Sequence, residues 1–81
     1  MFFVYIIQSQ KDGRLYVGMS ADIHKRLADH NNGRVFSTKG YRKWGLRYSE
    51  QIGTRSDARK RERYLKSGIG KEWLKSWIMP G

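Results

Sequence analysis

The chain has 81 residues, with 17 lysines and arginines against seven acidic residues, a formal net charge of +10 and no cysteine. That length suits one domain, expected to span 1–81, near the lower size at which a core sustains itself, and it supplies no thiols for disulfides or a thiolate metal cluster. No stretch approaches the ~20 apolar residues of a membrane span, and the apolar start has no basic lead and is too short for a signal peptide, so a soluble protein of the cytoplasm is expected.

The excess of positive charge is the electrostatic footprint of a polyanion binder, most often of nucleic acid. A ribosomal or merely basic protein is the plain alternative. Charge alone does not separate the two.

Residues 2–9 (FFVYIIQS) are mostly aromatic and β-branched, the composition of a strand. Phe3, Tyr5 and Ile7 fall on one face and Phe2, Val4 and Ile6 on the other, and a strand covered on both faces is usually central. Asp12-Gly13 signals a turn, and residues 15–19 resume the strand pattern. That turn implies Lys11 opposite Arg14. Any register that pairs odd with even numbers puts Tyr5 and Tyr16 on the same face, with their separation along the hairpin left open.

A helix is expected from about Ala21, with Ser20 as N-cap and Asp22 in the first turn. Ile23 and Leu27 form its buried stripe, and Arg26 and His30 lie along one edge of that stripe. Asn31-Asn32-Gly33 ends it. A guanidinium and an imidazole thus emerge beside the sheet face that holds the tyrosines.

Residues 34–44 (RVFSTKGYRKW) read as a loop leading to a third strand around 46–50. Lys39, Arg42 and Lys43 alternate with Phe36, Tyr41 and Trp44, which suits phosphate contacts combined with base or sugar stacking. Equally, Phe36 and Trp44 pack on the core and the lysines are solvated.

Thr54 followed by Asp57 marks the start of a second helix, which runs to about Ser67 with Gly68 as its stop. Its inward stripe is Ala58, Leu65 and Ile69, and Glu62 falls on that stripe, while the other charges at 59–63 are expected to point outward. A carboxylate there costs desolvation unless it has a partner. Either it pairs with a nearby arginine, or it is a metal ligand or catalytic carboxylate. Residues 71–78, with Trp73, Leu74, Trp77 and Ile78, make an amphipathic helix that closes the core. The fold expected is α+β, a three-stranded antiparallel sheet flanked by helices in the order β-β-α-β-α-α.

Together these residues resemble the GIY-YIG endonuclease family, above all small members similar to the nuclease domain of the excision-repair endonuclease. The first signature tripeptide corresponds to Phe3-Val4-Tyr5 and the second to Tyr16-Val17-Gly18. The helix arginine matches Arg26, the histidine after it His30, and the metal-binding glutamate Glu62. Phe3 stands where the family has glycine, and Val17 where it has isoleucine. Met19-Ser20 stands where some members carry a lysine, for which Lys39 is a candidate substitute from the loop.

The resemblance implies a divalent-metal-dependent DNA endonuclease or nickase, acting in repair or processing. Glu62 would hold Mg²⁺ or Mn²⁺, hard cations that suit an oxygen ligand. Arg26 would stabilise charge on the phosphorus, Tyr5 or Tyr16 would orient or deprotonate the attacking water, and His30 would relay that proton or position Tyr16. Each residue also has a plain structural role: sheet packing for the tyrosines, solvation for Arg26, helix C-terminal contacts for His30. The expected substrate is branched, nicked or single-stranded DNA, with a protein partner as another source of specificity. The rival readings are a catalytically silent nucleic-acid-binding module and a basic ribonucleoprotein component.

Overall fold

In the computed structural model, residues 1–68, 70, 72, 73 and 76 are described. The apolar alternation of the N-terminal segment produces β1 (Phe2–Ser9), and the resumed pattern after the turn produces β2 (Leu15–Ser20). The third strand, β3 (Trp44–Ile52), is longer at both ends than the sequence pattern suggests. Its extra residues pair with β1 from Phe2 to Ser9, so hydrogen bonding to the central strand sets its length. The sheet is antiparallel in the order β2-β1-β3, and β1 is central as expected.

Helix α1 (Ile23–Asn31) packs on one face and α2 (Arg55–Lys66) on the other. Val4, Ile6 and Val17 meet Ala58 and Leu65 of α2, while Tyr5, Ile7 and Trp44 meet Ile23 and Leu27 of α1. A bulge in β3 decides which side chains face which helix. Ile6 pairs with Tyr48 but Ile7 with Leu46, so Arg47 is the extra residue. Without it Leu46 and Tyr48 would share a face; with it Tyr48 joins the α2 layer.

Two helix starts follow from side-chain capping. Thr54 accepts from the backbone N–H of Asp57 at 3.1 Å, as the pattern implies. At α1 the cap is Asp22 instead of Ser20: its Oδ1 accepts from Lys25 N–H at 3.1 Å, while Ser20 Oγ accepts from Asp22 N–H at 3.0 Å. The serine hydroxyl therefore fixes the turn before the helix, and the helix starts later than expected. Asn32 caps its other end, followed by Gly33 at φ +76°, a left-handed conformation that favours glycine.

The loop after α1 contains a short 3-10 turn (Lys39–Tyr41) and splits its two aromatic candidates. Trp44 is buried, whereas Phe36 is 88% exposed. Asn31 clamps the loop by accepting from Trp44 N–H and donating to Trp44 C=O at 3.0 Å. Arg61, expected to point outward, instead leans onto the sheet. Its Nε donates to both Glu50 carboxylate oxygens, at 3.1 and 3.0 Å, and its Nη2 donates at 2.8 Å. Ile69 and the expected closing helix over 71–78 lie outside the described residues, apart from Glu72, Trp73 and Ser76.

Candidate active site

The register of the β1–β2 hairpin builds the floor of the site. Ile7 pairs with Tyr16 and Tyr5 with Gly18, two residues out of step with the pairing that the turn alone implies. The offset still pairs odd with even, so Tyr5 and Tyr16 share a face. It also places a glycine opposite Tyr5. A Cβ at Gly18 would collide with the Tyr5 hydroxyl and ring, so the tyrosine lies across its neighbour strand only because that neighbour has no side chain.

Tyr5 is buried, and its hydroxyl lies 2.9 Å from His30 Nε2. His30, fully buried in the last turn of α1, places Nδ1 2.7 Å from the Thr38 hydroxyl. Thr38 in turn donates to Val35 C=O at 3.4 Å. That polarity assigns the tautomer: Nδ1–H donates to Thr38, leaving Nε2 to accept from the Tyr5 O–H. The imidazole is held neutral. Burial, and then the Arg26 charge, push its pKa down to about 4, against a smaller opposing effect of Asp29.

Burial pushes the Tyr5 phenol up to about 12; hydrogen bonding to Arg26 opposes this, and the charges of Tyr16 and Glu62 add to it. The Arg26 guanidinium, whose charge favours the ionised phenol, has Nη1 3.9 Å from Asp29 Oδ2. Tyr16 is less buried and presents its ring edge-on to His30 at 5.0 Å and to Trp44 at 6.3 Å. His30 thus hydrogen-bonds Tyr5 and packs against Tyr16. Phe3, on the same face, lines a pocket of about 360 Å³ with Ile23, His24, Leu46 and Ser49.

Glu62 comes from the opposite layer. Its side chain is 19% exposed, between buried Ala58 and Leu65 along α2. Its partner is no arginine but Lys66, whose Nζ is 3.4 Å from Oε2. The same ammonium lies 5.7 Å from the Tyr16 ring centroid, so α2 and the tyrosine face meet along the edge strand β2. Lys39 is elsewhere, over the Phe36 ring, and Arg42 Nε donates to Lys39 C=O at 2.8 Å. Lys43 is exposed beside them.

The structure thus brings Tyr5, Tyr16, Arg26, His30 and Glu62 together and leaves Lys39, Arg42 and Lys43 on the loop. Thr38, the hairpin offset at Gly18 and Lys66 escape a reading of the sequence. Only Lys66 left a usable signal, its place one helical turn after Glu62. No cluster of three or more histidines, cysteines or acidic residues exists among the described residues. A hard octahedral cation needs less: one or two carboxylates suffice when water and phosphate oxygens complete the shell. Glu62 suits that role: its side chain is 19% exposed and, among the described residues, held at 3.4 Å only by the exposed Lys66 ammonium, whereas Glu50 is held by three guanidinium hydrogen bonds from Arg61.

Residues 1–74 match the GIY-YIG catalytic domain. The chain belongs to the GIY-YIG family. It is 42% identical over 74 residues to a UPF0213 protein of Staphylococcus saprophyticus, covering 90% of this chain and 89% of that one. It is 41% identical over 66 residues to UPF0213 proteins of Staphylococcus aureus, covering 80% and 79%. The solution NMR structure of the UPF0213 protein BH0048 of Bacillus halodurans superposes with a TM-score of 0.57 at 28% identity, over 99% of this chain and 89% of that one. The GIY-YIG match carries the α+β sheet and both helices, and no helix among the described residues is long and apolar enough to cross a membrane.

Proposed function

We propose that this GIY-YIG domain is a divalent-metal-dependent endonuclease or nickase that hydrolyses DNA phosphodiester bonds. The observation that carries the reading is the buried cluster on the α1 face, Tyr5 hydrogen-bonded to His30 at 2.9 Å with Tyr16 edge-on to the same imidazole at 5.0 Å and Arg26 one helical turn before it, in a chain of net charge +10. Membership of a catalytic-domain family and the basic surface both favour a phosphate-bearing substrate.

The residues divide the work by position. Arg26, one helical turn before His30 on α1, is a cationic fork that neutralises charge growing on the phosphoryl oxygens. Glu62 would hold Mg²⁺ or Mn²⁺, which when bound supplies Lewis-acid polarisation of the phosphate and of water. Tyr16, less buried than Tyr5, orients the attacking water. Tyr5, its hydroxyl fixed by donation to His30 Nε2, positions Tyr16 and the water from below. Thr38 holds the imidazole in the tautomer that accepts the Tyr5 hydroxyl.

The pocket beside Phe3, two residues along β1 from Tyr5, leaves room for part of a nucleotide. Exposed Phe36 with Lys39, and Arg42 and Lys43 beyond them, extend a basic and stacking surface along the loop. Repair or processing of nicked, branched or single-stranded DNA suits a site of this size.

The test is cleavage of labelled linear, nicked, flapped and four-way DNA with Mg²⁺, Mn²⁺ or EDTA. Wild type should cut only with metal, and Arg26→Ala and Glu62→Ala, at equal folded concentration, should lose about a hundredfold or more of the rate. Binding without cutting on every substrate would instead favour a silent nucleic-acid-binding module. Preference for RNA, with indifference to metal, would favour a ribonucleoprotein component.

A further inference from the structure

Within the nuclease reading, on which this inference rests, one cation of the site has no assigned task. Lys66 Nζ stands 3.4 Å from Glu62 Oε2 and 5.7 Å from the Tyr16 ring centroid. A glutamate one turn before a lysine is a common helix-surface pair. This one differs in where it points, because its ammonium also covers a tyrosine of another element at the edge where α2 meets β2.

We propose that Lys66 is a substrate-binding residue gated by the metal: it occupies Glu62 when no cation is bound, and contacts a DNA phosphate when one is. The first half is the observed ion pair. The second follows from charge. A dication on Glu62 turns that carboxylate from an attractive partner into a net positive neighbour, and an ammonium at the same oxygen is repelled. The Lys66 side chain is 49% exposed and flexible, so it can leave without disturbing the core. The Tyr16 ring, 5.7 Å from the ammonium, then lies beside it.

Two further observations favour Lys66 for this duty. Met19-Ser20 leaves β2 without a cation after Gly18, and Lys39 is held over Phe36. Lys66 therefore supplies, from α2, a positive charge at the tyrosines. The gating makes metal and DNA reciprocal effectors: DNA removes the competitor of the metal, and the metal releases a cation for DNA. A plain helix pair would give no such coupling.

The experiment has two readouts besides cleavage. Mn²⁺ binding without DNA is followed by the free-ion electron paramagnetic resonance signal in wild type, Lys66→Gln, Lys66→Arg and Glu62→Gln. Lys66→Gln should bind Mn²⁺ severalfold more tightly than wild type, and Lys66→Arg should resemble wild type. Fluorescence anisotropy then gives the salt dependence of binding to flapped DNA, with Arg26→Ala in every sample to suppress cutting. With Mn²⁺, Lys66→Gln should lower the slope of log K against log salt by about 0.7–0.9, one phosphate contact; in EDTA the slope should not change.

Unchanged Mn²⁺ affinity in Lys66→Gln, or an unchanged slope with Mn²⁺, would overturn the gating while leaving the nuclease reading standing. If Glu62→Gln binds Mn²⁺ as wild type does, the metal assignment itself falls, and the gating with it.

Discussion

The two faces of one three-stranded sheet bury polar groups by opposite means. On the α2 face an aliphatic layer of Val4, Ile6, Val17, Ala58 and Leu65 is flanked by a charged fork, Arg61 on Glu50, at the half-exposed margin. On the α1 face the polar groups lie in the interior, as the neutral chain Tyr5–His30–Thr38. No buried side-chain nitrogen or oxygen lacks a hydrogen-bond partner among the described residues. A neutral chain with its partners made needs no counter-ion. The charged pairs, Arg26 with Asp29 and Lys66 with Glu62, stay at the partly exposed rim. One face is packed by aliphatic side chains, and the other carries the buried polar chain.

The comparison breaks if the wrong face proves to carry stability. Leu65→Ala removes a fully buried side chain from the aliphatic layer and should cost about 2–5 kcal/mol in urea unfolding. Its cleavage rate per folded molecule should stay near wild type. A loss below ~1 kcal/mol would mean that α2 contributes less to stability than its packing implies.

The α1 face should reveal itself through pH. His30 titrates at about 4 in the folded chain, against 6.5 for an ordinary histidine. Between those values the unfolded chain binds more protons, so stability rises with pH across the window and is lost as pH falls through it, levelling below about 4. From the two pKa values the span is about 3 kcal/mol. Chemical unfolding at a series of pH values should show this slope in wild type, and the slope should disappear in His30→Gln. A persistent slope in that variant would assign it to the carboxylates.

Gly18→Ala sharpens the contrast. The new methyl collides with Tyr5, which must move, and overpacking of this kind costs about 1–3 kcal/mol. Cleavage should fall by more than the stability change explains, and the stability cost should be largely absent when Tyr5→Ala, which removes the ring, is already present. Additive losses in that double-mutant cycle would show that Gly18 acts without Tyr5.

The smallest effect is expected at the charged fork. Arg61 holds Glu50 below the usual carboxylate range, chiefly by hydrogen bonding. The pair is partly solvated, with side chains 34% and 16% exposed, so Glu50→Gln should cost only about 0.5–1 kcal/mol at neutral pH. Its stabilisation should be present above the unfolded carboxylate pKa and decline as pH falls through the lower folded value. Cleavage by this variant should match wild type, since the fork lies on the other face.

Much was legible in the sequence. Period-two alternation placed β1 at the centre of the sheet, helical spacing put Ile23 and Leu27 on the core, and Thr54 announced α2. The parity of the hairpin set both tyrosines on one face, because side chains alternate whichever odd-even pairing is chosen. What depended on contacts between distant segments was not legible. The β1–β2 offset put Gly18 beneath Tyr5, the β3 bulge sent Tyr48 and Leu46 to different layers, and Thr38 reached His30 across a loop. Local pattern reports which way a side chain faces. Only the folded chain decides which neighbour it meets, since pairing register, bulges and loop closure are settled by the packing of the whole. Arg61 shows this most plainly: it reads as an outward-pointing helix cation, and tertiary placement made it a strut to Glu50 on the sheet.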